Sequence, residues 1–433
     1  MKISWMLFCA FVAAAVPATA QRSAAQRNGW IASWGTAQQL GPQVRPKFRP
    51  APVPSAVRTT PTPSIVPPSP MVPYPERLSD QTVRMIVRTS VGGSRFRLEF
   101  SNAQGETTVS FSSVHAALAG EGAVLVGKTD RVVTFGGRRS VTMLPGARIV
   151  SDPVNLSVPA LARVAVSIHV PGETPTNTVH PLGLLPAYIV AGDATGAERM
   201  DAASSVRSYF WLTGLDVPVA GQRTGTIVAL GDSITDGYAT SPGQSRAWLD
   251  LLAQRLQGRR STAGFGVVNA GISGNRILRT GAGEAAIARF DEDVLARPGV
   301  RWIILLEGIN DINMSIMPGM PAFQHATAGE IIAGLRQIVE RAHLHGIQVA
   351  IGTILPTKGL PFYSSAGEDM RGQVNRWIRT GGVGDAVIDF DAAVRDPADL
   401  NRLRPDFDPG DHVHPNDSGN KAMADAIDLA IFD

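Results

Sequence analysis

The sequence predicts an α/β protein in two parts: a three-layer α/β/α domain on a parallel sheet over residues 222–433, and a β-sandwich-like domain over 78–221 before it. Three observations lead to this class. Beyond Gly221, short apolar runs alternate with longer amphipathic stretches, the pattern of parallel strands joined by crossover helices. From Leu78 to about Ala220, apolar residues recur at alternate positions between glycine-rich turns, as in half-buried antiparallel strands. The chain's 433 residues, 44% hydrophobic and 18% charged, suffice for more than one core.

The amino terminus is expected to be an export signal. Residues 1–20 carry an early Lys2, the apolar stretch from Trp5 to Val16, and Ala18-Thr19-Ala20 as a small-residue cleavage site. The segment is too short to span a bilayer comfortably, and no second run approaches that length. It also holds the single cysteine, Cys9, so the mature chain would have no disulfide, thiolate metal site or cysteine nucleophile. A secreted or periplasmic protein is the expectation. A net charge of +3 from dispersed residues gives no reason to expect a nucleic-acid or membrane partner.

Residues 21–77 read as an N-terminal strand, Trp30-Ile31-Ala32-Ser33-Trp34, followed by a proline-dominated stretch from Gly41 to Pro75. That stretch has no periodic apolar face, so it is a stiff linker or a strap across a neighbour. In the β-rich part, Val83, Met85 and Val87 alternate with Arg84 and Arg88, and Val164, Val166, Ile168 and Val170 alternate with smaller or polar residues. Turns fall at Gly92-Gly93, Gly136-Gly137 and Pro145-Gly146. A carbohydrate-binding or substrate-shaping module and a purely structural one are both compatible with this pattern, since fold does not give function.

In the α/β part, strands are expected over 226–230, 265–269, 302–306, 348–355 and 386–390. The helix carrying Ile331, Leu335, Ile338 and Ala342 on one face begins at the capping box Thr327-x-x-Glu330 and ends at Gly346. The final helix uses Met423, Ile427 and Ile431. Loops at the carboxyl ends of such strands converge, and four of them carry candidate chemistry. The first is Gly231-Asp232-Ser233-Ile234, with Ser233 as candidate nucleophile. The second, Asn269-Ala270-Gly271-Ile272-Ser273-Gly274-Asn275, has glycines that let an N–H approach a ligand. The third is Gly308-Ile309-Asn310-Asp311, whose Asn310 amide can donate to a developing negative charge. The last, Asp411-His412-Val413-His414-Pro415, offers a base and a carboxylate on one loop. Singly each block reads as turn, cap or loop chemistry; jointly they supply a nucleophile, a base, its orienting carboxylate and oxyanion donors.

These four blocks, in order and with similar spacing, resemble the SGNH hydrolase superfamily of GDSL esterases and lipases from about Thr226 to Asp433. The wider pattern, with Arg289-Phe290-Asp291 and Leu306 to Ile312, is similar to a branch of secreted arylesterases and acylhydrolases of polysaccharide degradation. The resemblance implies Ser233 as nucleophile, His414 as general base and then acid, and Asp411 as the carboxylate fixing the imidazole. It further implies an oxyanion hole made by the N–H groups of Ser233 and Gly274 and the side chain of Asn310. The implied activity is a secreted serine esterase removing short acyl groups, acetyl foremost, from carbohydrates. Lipids, aryl esters or thioesters are the alternative substrates, and a non-catalytic glycan-binding protein the alternative class.

His412 competes with His414 for the role of base, although Asp-x-x-His is the family arrangement. Asp232 and Asp236 flank the nucleophile and are expected to cap the following helix. Arg276 and Glu307 border the oxyanion loops, as an ion pair or as pocket-shaping groups. No cofactor or metal is expected; His343 and His345 face different ways at a helix end. Trp30, Trp34, Trp211 and Trp248 are expected in the core.

Overall fold

The computed structural model describes residues 29–41, 73–219, 221 and 223–433. The expected signal at 1–20 and nearly all of the proline-rich stretch lie outside the described residues.

Runs of Ile, Val and Leu bounded by Gly form the five parallel strands Gly225–Gly231, Phe265–Gly271, Val300–Leu306, Gln348–Gly352 and Ala386–Ile388. Counted along the chain, they lie in the order 2-1-3-4-5. The first strand is therefore flanked by the second and third, and strand order reverses beside it. Ligand crevices of open parallel sheets form at such a switch point. Helices Trp248–Gln257 and Asp417–Asp425 pack together on one face, while Ala328–Leu344 and Ser365–Thr380 cover the other. Their apolar stripes close a core around Val228, Leu230, Ile304, Leu305, Leu335 and Phe390. The expected capping box is present at Thr327 and Glu330.

Three expected elements are shorter than predicted; the fifth strand, expected to 390, ends at Ile388 because Asp389 caps the helix Phe390–Val394. The fourth strand stops at Gly352 because the Asn375 side chain takes the backbone of Ile354, accepting its N–H at 2.7 Å and donating to its carbonyl at 2.8 Å. The last helix ends at Asp425 and resumes as a 3-10 turn over Leu429–Phe432. There Arg255 occupies the Ile427 carbonyl and Asp428 caps the new turn.

The β-rich region contains a four-stranded and a six-stranded antiparallel sheet. Strand Arg163–Val170 pairs with both Gln81–Arg88 and Ser113–Leu118 in the larger sheet. Strand Leu212–Pro218 pairs with both Trp30–Gly35 and Arg97–Ser101 in the smaller one. Val83, Met85, Val166 and Ile168 from one sheet share a core with Leu98, Phe100, Leu215 and Val217 from the other, which makes this a sandwich. Several alternating polar positions are not solvated, and the largest of them, Arg84, is fully buried. Its guanidinium donates to Ser167 Oγ and to the carbonyls of Ala123 and Ala197. Burial pushes its pKa down to about 10. The loop containing Ala194 to Ala197 closes over that face, which period-two patterning alone does not reveal.

The first β strand lies between the two halves. It pairs with the sandwich, yet the Ala32 N–H donates to Thr226 Oγ1 at 2.9 Å, and Thr36 bridges Asn269 in parallel. Ser90 Oγ accepts the Val267 N–H at 2.8 Å, and Arg297 donates to the carbonyls of Thr36 and Thr213.

Candidate active site

Ser233 follows the first parallel strand directly and opens a one-turn helix, Ser233–Asp236. The turn is sharp. A Cβ on Gly231 would lie 2.2 Å from Thr235 Oγ1 and 2.6 Å from the Leu306 carbonyl, so only glycine lets the strand enter the helix here. Asp232 caps the helix by accepting the Ile234 N–H at 2.9 Å, and Gly237 ends it with φ of 100°. The serine side chain is thereby fixed at the strand's end.

Ser233 Oγ lies 2.8 Å from His414 Nε2, and His414 Nδ1 lies 2.7 Å from Asp411 Oδ2. A carboxylate can only accept, so His414 carries its proton on Nδ1 and leaves Nε2 free to receive the serine's. The second Asp411 oxygen accepts the N–H groups of Val413 and His414, both at 2.9 Å. Burial raises the Asp411 pKa, but the His414 hydrogen bond and charge and these two N–H groups outweigh it and hold the carboxyl below its ordinary range. Residues 181 positions apart in sequence thus form one chain of hydrogen bonds. The Tyr238 ring lies over the imidazole, with centroids 4.3 Å apart.

The competing histidine has its own partner. His412, at φ 66°, faces Asp408 Oδ2 at 2.6 Å through Nδ1, and no hydrogen bond joins it to Ser233. Separating His412 from His414 by one residue turns the two rings to different carboxylates.

The oxyanion candidates follow strands that end level with the first, for Gly231 is in register with both Gly271 and Leu306. The Ile272 N–H donates to the Gly231 carbonyl, starting the second loop beside the nucleophile turn. Gly274 has φ of 81°, a conformation that favours glycine. Asn310 sits in the first turn of the helix Ile309–Ile316 and donates one amide N–H to the Asn275 carbonyl at 2.9 Å, which leaves its second N–H for a ligand. Arg289 ties these parts together from below. Its guanidinium donates to the carbonyls of Gly231 and Ala270, to Asn275 Oδ1 and to Asp293.

Three further carboxyls are buried around the site, Asp232, Glu307 and Asp311. Burial, then the charges of Asp311 and Asp236, push Asp232 up to about 7 against the pull of the Ile234 N–H and His414. Burial also drives Glu307 well above its usual range, with the Asp232 charge adding to it. Asp311 is raised by burial although it accepts the N–H groups of Ile277 and Leu278. Glu307 faces Arg289 at 4.0 Å, whereas Arg276 donates to Gln324 and to the Thr280 carbonyl; the two expected partners do not pair.

Asp236 departs from its expected capping role. Its Oδ2 accepts the N–H and hydroxyl of Ser273 at 2.9 and 2.6 Å, and its Oδ1 faces His180 Nε2 at 2.9 Å. His180 comes from the β-rich region, on the short strand Thr178–His180, and no pattern in the sequence links it to a loop 56 positions away. Trp211 and Trp248 are fully buried, and Trp30 is covered by Arg97 at 4.7 Å. Trp34 packs edge-on against Tyr209. His343 pairs with Asp385. Among the described residues, no group of histidine, cysteine and acidic side chains could hold a metal, and no helix is long and apolar enough to cross a membrane.

Residues 229–422 match the model of the GDSL-like lipase/acylhydrolase family. No curated protein matches the chain. Among solved structures, an acetyl xylan esterase from Geobacillus stearothermophilus is similar at 24% identity, covering 49% of this chain and 97% of its own, with a TM-score of 0.39. A GDSL-like lipase from Bacteroides thetaiotaomicron is 18% identical over 49% of this chain and 90% of its own, at a TM-score of 0.35. An α/β hydrolase enzyme from the Lake Arreo metagenome is 21% identical over 49% and 98%, at 0.37.

Proposed function

From a domain that belongs to the GDSL-like lipase/acylhydrolase family, whose members are carboxylic ester hydrolases, we propose that this protein is a secreted serine esterase acting on short acyl esters of carbohydrates, acetyl foremost. The observation that carries the reading is the unbroken hydrogen-bond chain from Ser233 through His414 to Asp411.

The serine hydroxyl gives its proton to His414 Nε2 as Oγ attacks the acyl carbon. Asp411 holds the ring in the tautomer that can accept it and stabilises the imidazolium that results. The carbonyl oxygen, now negative, receives the N–H groups of Ser233 and Gly274 and the free amide N–H of Asn310. His414 returns the proton to the departing alcohol, leaving an acyl group on Ser233. Water then enters and gives a proton to the same imidazole as its oxygen bonds the acyl carbon; the bond from that carbon to Ser233 Oγ breaks, His414 returns the proton to Oγ, and the carboxylic acid leaves.

The carbohydrate reading rests on the export-like N-terminal sequence and on the β module beside the hydrolase domain. A second reading, larger apolar or aryl esters, has one observation in its favour. Phe323, 68% exposed, sits on a loop fastened to the second site loop by Arg279 on its carbonyl and by the Arg276 bond to Gln324. Acetate release from acetylated polysaccharides, measured beside p-nitrophenyl esters of increasing chain length, separates the two. Ser233→Ala is expected to abolish hydrolysis of every active substrate. Activity that survives it removes the proposed nucleophile.

A further inference from the structure

His180 is held between two acceptors. Its Nδ1 lies 2.9 Å from the Ala37 carbonyl and its Nε2 lies 2.9 Å from Asp236 Oδ1. A carbonyl oxygen cannot donate, so Nδ1 carries a proton. Asp236 accepts two hydrogen bonds from Ser273 on its other oxygen, as a carboxylate does, so Nε2 faces it with a second proton. The ring is 3% exposed and the carboxylate 1%, and the Tyr209 ring stacks on the imidazole. A charge buried this deeply persists only when it is paired, and here the partner sits three positions after the nucleophile.

Resting on the esterase reading above, we propose that His180 is a positioning residue for ester hydrolysis, a protonated imidazole from the β module that fixes the oxyanion loop through Asp236 and Ser273. Asp236 ends the helix that Ser233 begins. Ser273 directly precedes Gly274, whose N–H is an oxyanion donor. The cation on His180 holds Asp236 in place, and Asp236 then fixes the Ser273 N–H and hydroxyl. Loss of the shared proton leaves an uncompensated buried carboxylate, and the loop loses its anchor. Proton exchange has a route, since His180 and Asp236 both line a cavity of about 70 Å³ at the junction of the two domains.

The charged neighbours favour the protonated state. Burial by itself would lower the His180 pKa, but the charge and hydrogen bond of Asp236, the Ala37 carbonyl and the more distant Asp293 carry it above the ordinary histidine range. Burial pushes the Tyr209 hydroxyl up, so it stays neutral beside the ring. Arg88 and Asp250 line the same cavity and pair with each other at 3.5 Å.

Kinetics of the full chain test the proposal. His180→Phe is expected to lower kcat about 10²-fold, the effect of misplacing a reacting group by about an ångström, with KM within about threefold. His180→Gln keeps a donor toward Asp236 but cannot titrate. The wild type is expected to show an alkaline fall in kcat above the ordinary histidine range, and His180→Gln to recover kcat to within about tenfold of wild type and to lack that fall. A kcat within twofold of wild type in His180→Phe overturns the proposal, as does an alkaline limb unchanged in His180→Gln. Where the phenylalanine variant does not fold, the glutamine pH profile decides. Nitrogen-15 spectra of Ser233→Ala read the His180 ring without turnover; imidazolium shifts at neutral pH support the proposal and a neutral ring refutes it. Ester hydrolysis that survives Ser233→Ala refutes the esterase mechanism instead.

Discussion

Replacing Asp411 by asparagine tests the proton chain at its far end. In the native protein one Asp411 oxygen accepts two backbone N–H groups and the other faces His414 Nδ1. An asparagine has one acceptor oxygen and one NH2 group. The two N–H groups, fixed by the loop, hold the amide oxygen on their side, which turns the NH2 toward His414. Nδ1 must then accept, the ring proton moves to Nε2, and Nε2 donates to Ser233 instead of receiving its proton. Geometry is kept while the base is lost. In a serine protease with the same logic, the wrong tautomer costs about 10⁴ in kcat. We expect a fall of about 10³ to 10⁴, equivalent to about 4 to 5.5 kcal/mol of barrier, with KM within a few-fold. The assay is steady-state hydrolysis of p-nitrophenyl acetate by a variant whose thermal unfolding matches the native protein. A kcat within tenfold of wild type would refute the tautomer argument.

Asn310→Ala removes one proposed oxyanion donor and is expected to lower kcat by about 10² to 10³ with little change in KM, read in the same assay. His412→Asn breaks only the Asp408 pair and is expected to leave kcat within about threefold; a larger loss would make His412 part of the proton path. Thermal unfolding is expected at lower temperature at pH 8 than at pH 5.5. Asp216 is pushed up to about 8, Asp232 to about 7 and Asp250 to about 6, chiefly by burial. Between their ordinary values and these, the folded chain holds more protons than the unfolded one, so stability falls as pH rises, and His180, also raised, adds to the fall. Asp216→Asn should shrink the difference; an equal or higher melting temperature at pH 8 in the native protein refutes the assignment.

What the sequence displays depends on how local the cause is. The five parallel strands and the Thr327 capping box are local patterns, and they fall close to where the apolar runs place them. Where the fourth strand stops, a side chain on a later helix, Asn375, decides the matter, and no window around Ile354 contains it. The four loops were legible because strand ends impose a spacing on them. Asp236 was visible too, but its role was not, since both of its partners arrive through folding: Ser273 from the next strand's loop and His180 from another domain. Arg289 lies in a recognisable motif, yet its work, tying the carbonyls of Gly231 and Ala270 to Asn275, exists only in three dimensions. Arg84 reads as a solvated strand position until a loop more than a hundred residues away covers it.

Strand Phe265–Gly271 occupies one border of the parallel sheet, and the residues that satisfy its outward side, Thr36 and Ser90, belong to the other half of the chain. A hydrolase half cut free at the sandwich would bare a row of unpaired amides on an apolar strand, an invitation to pair with any passing chain. The module therefore serves as the guard of that border, and the hydrolase's protection from edge-to-edge pairing is written partly in residues far from its chemistry.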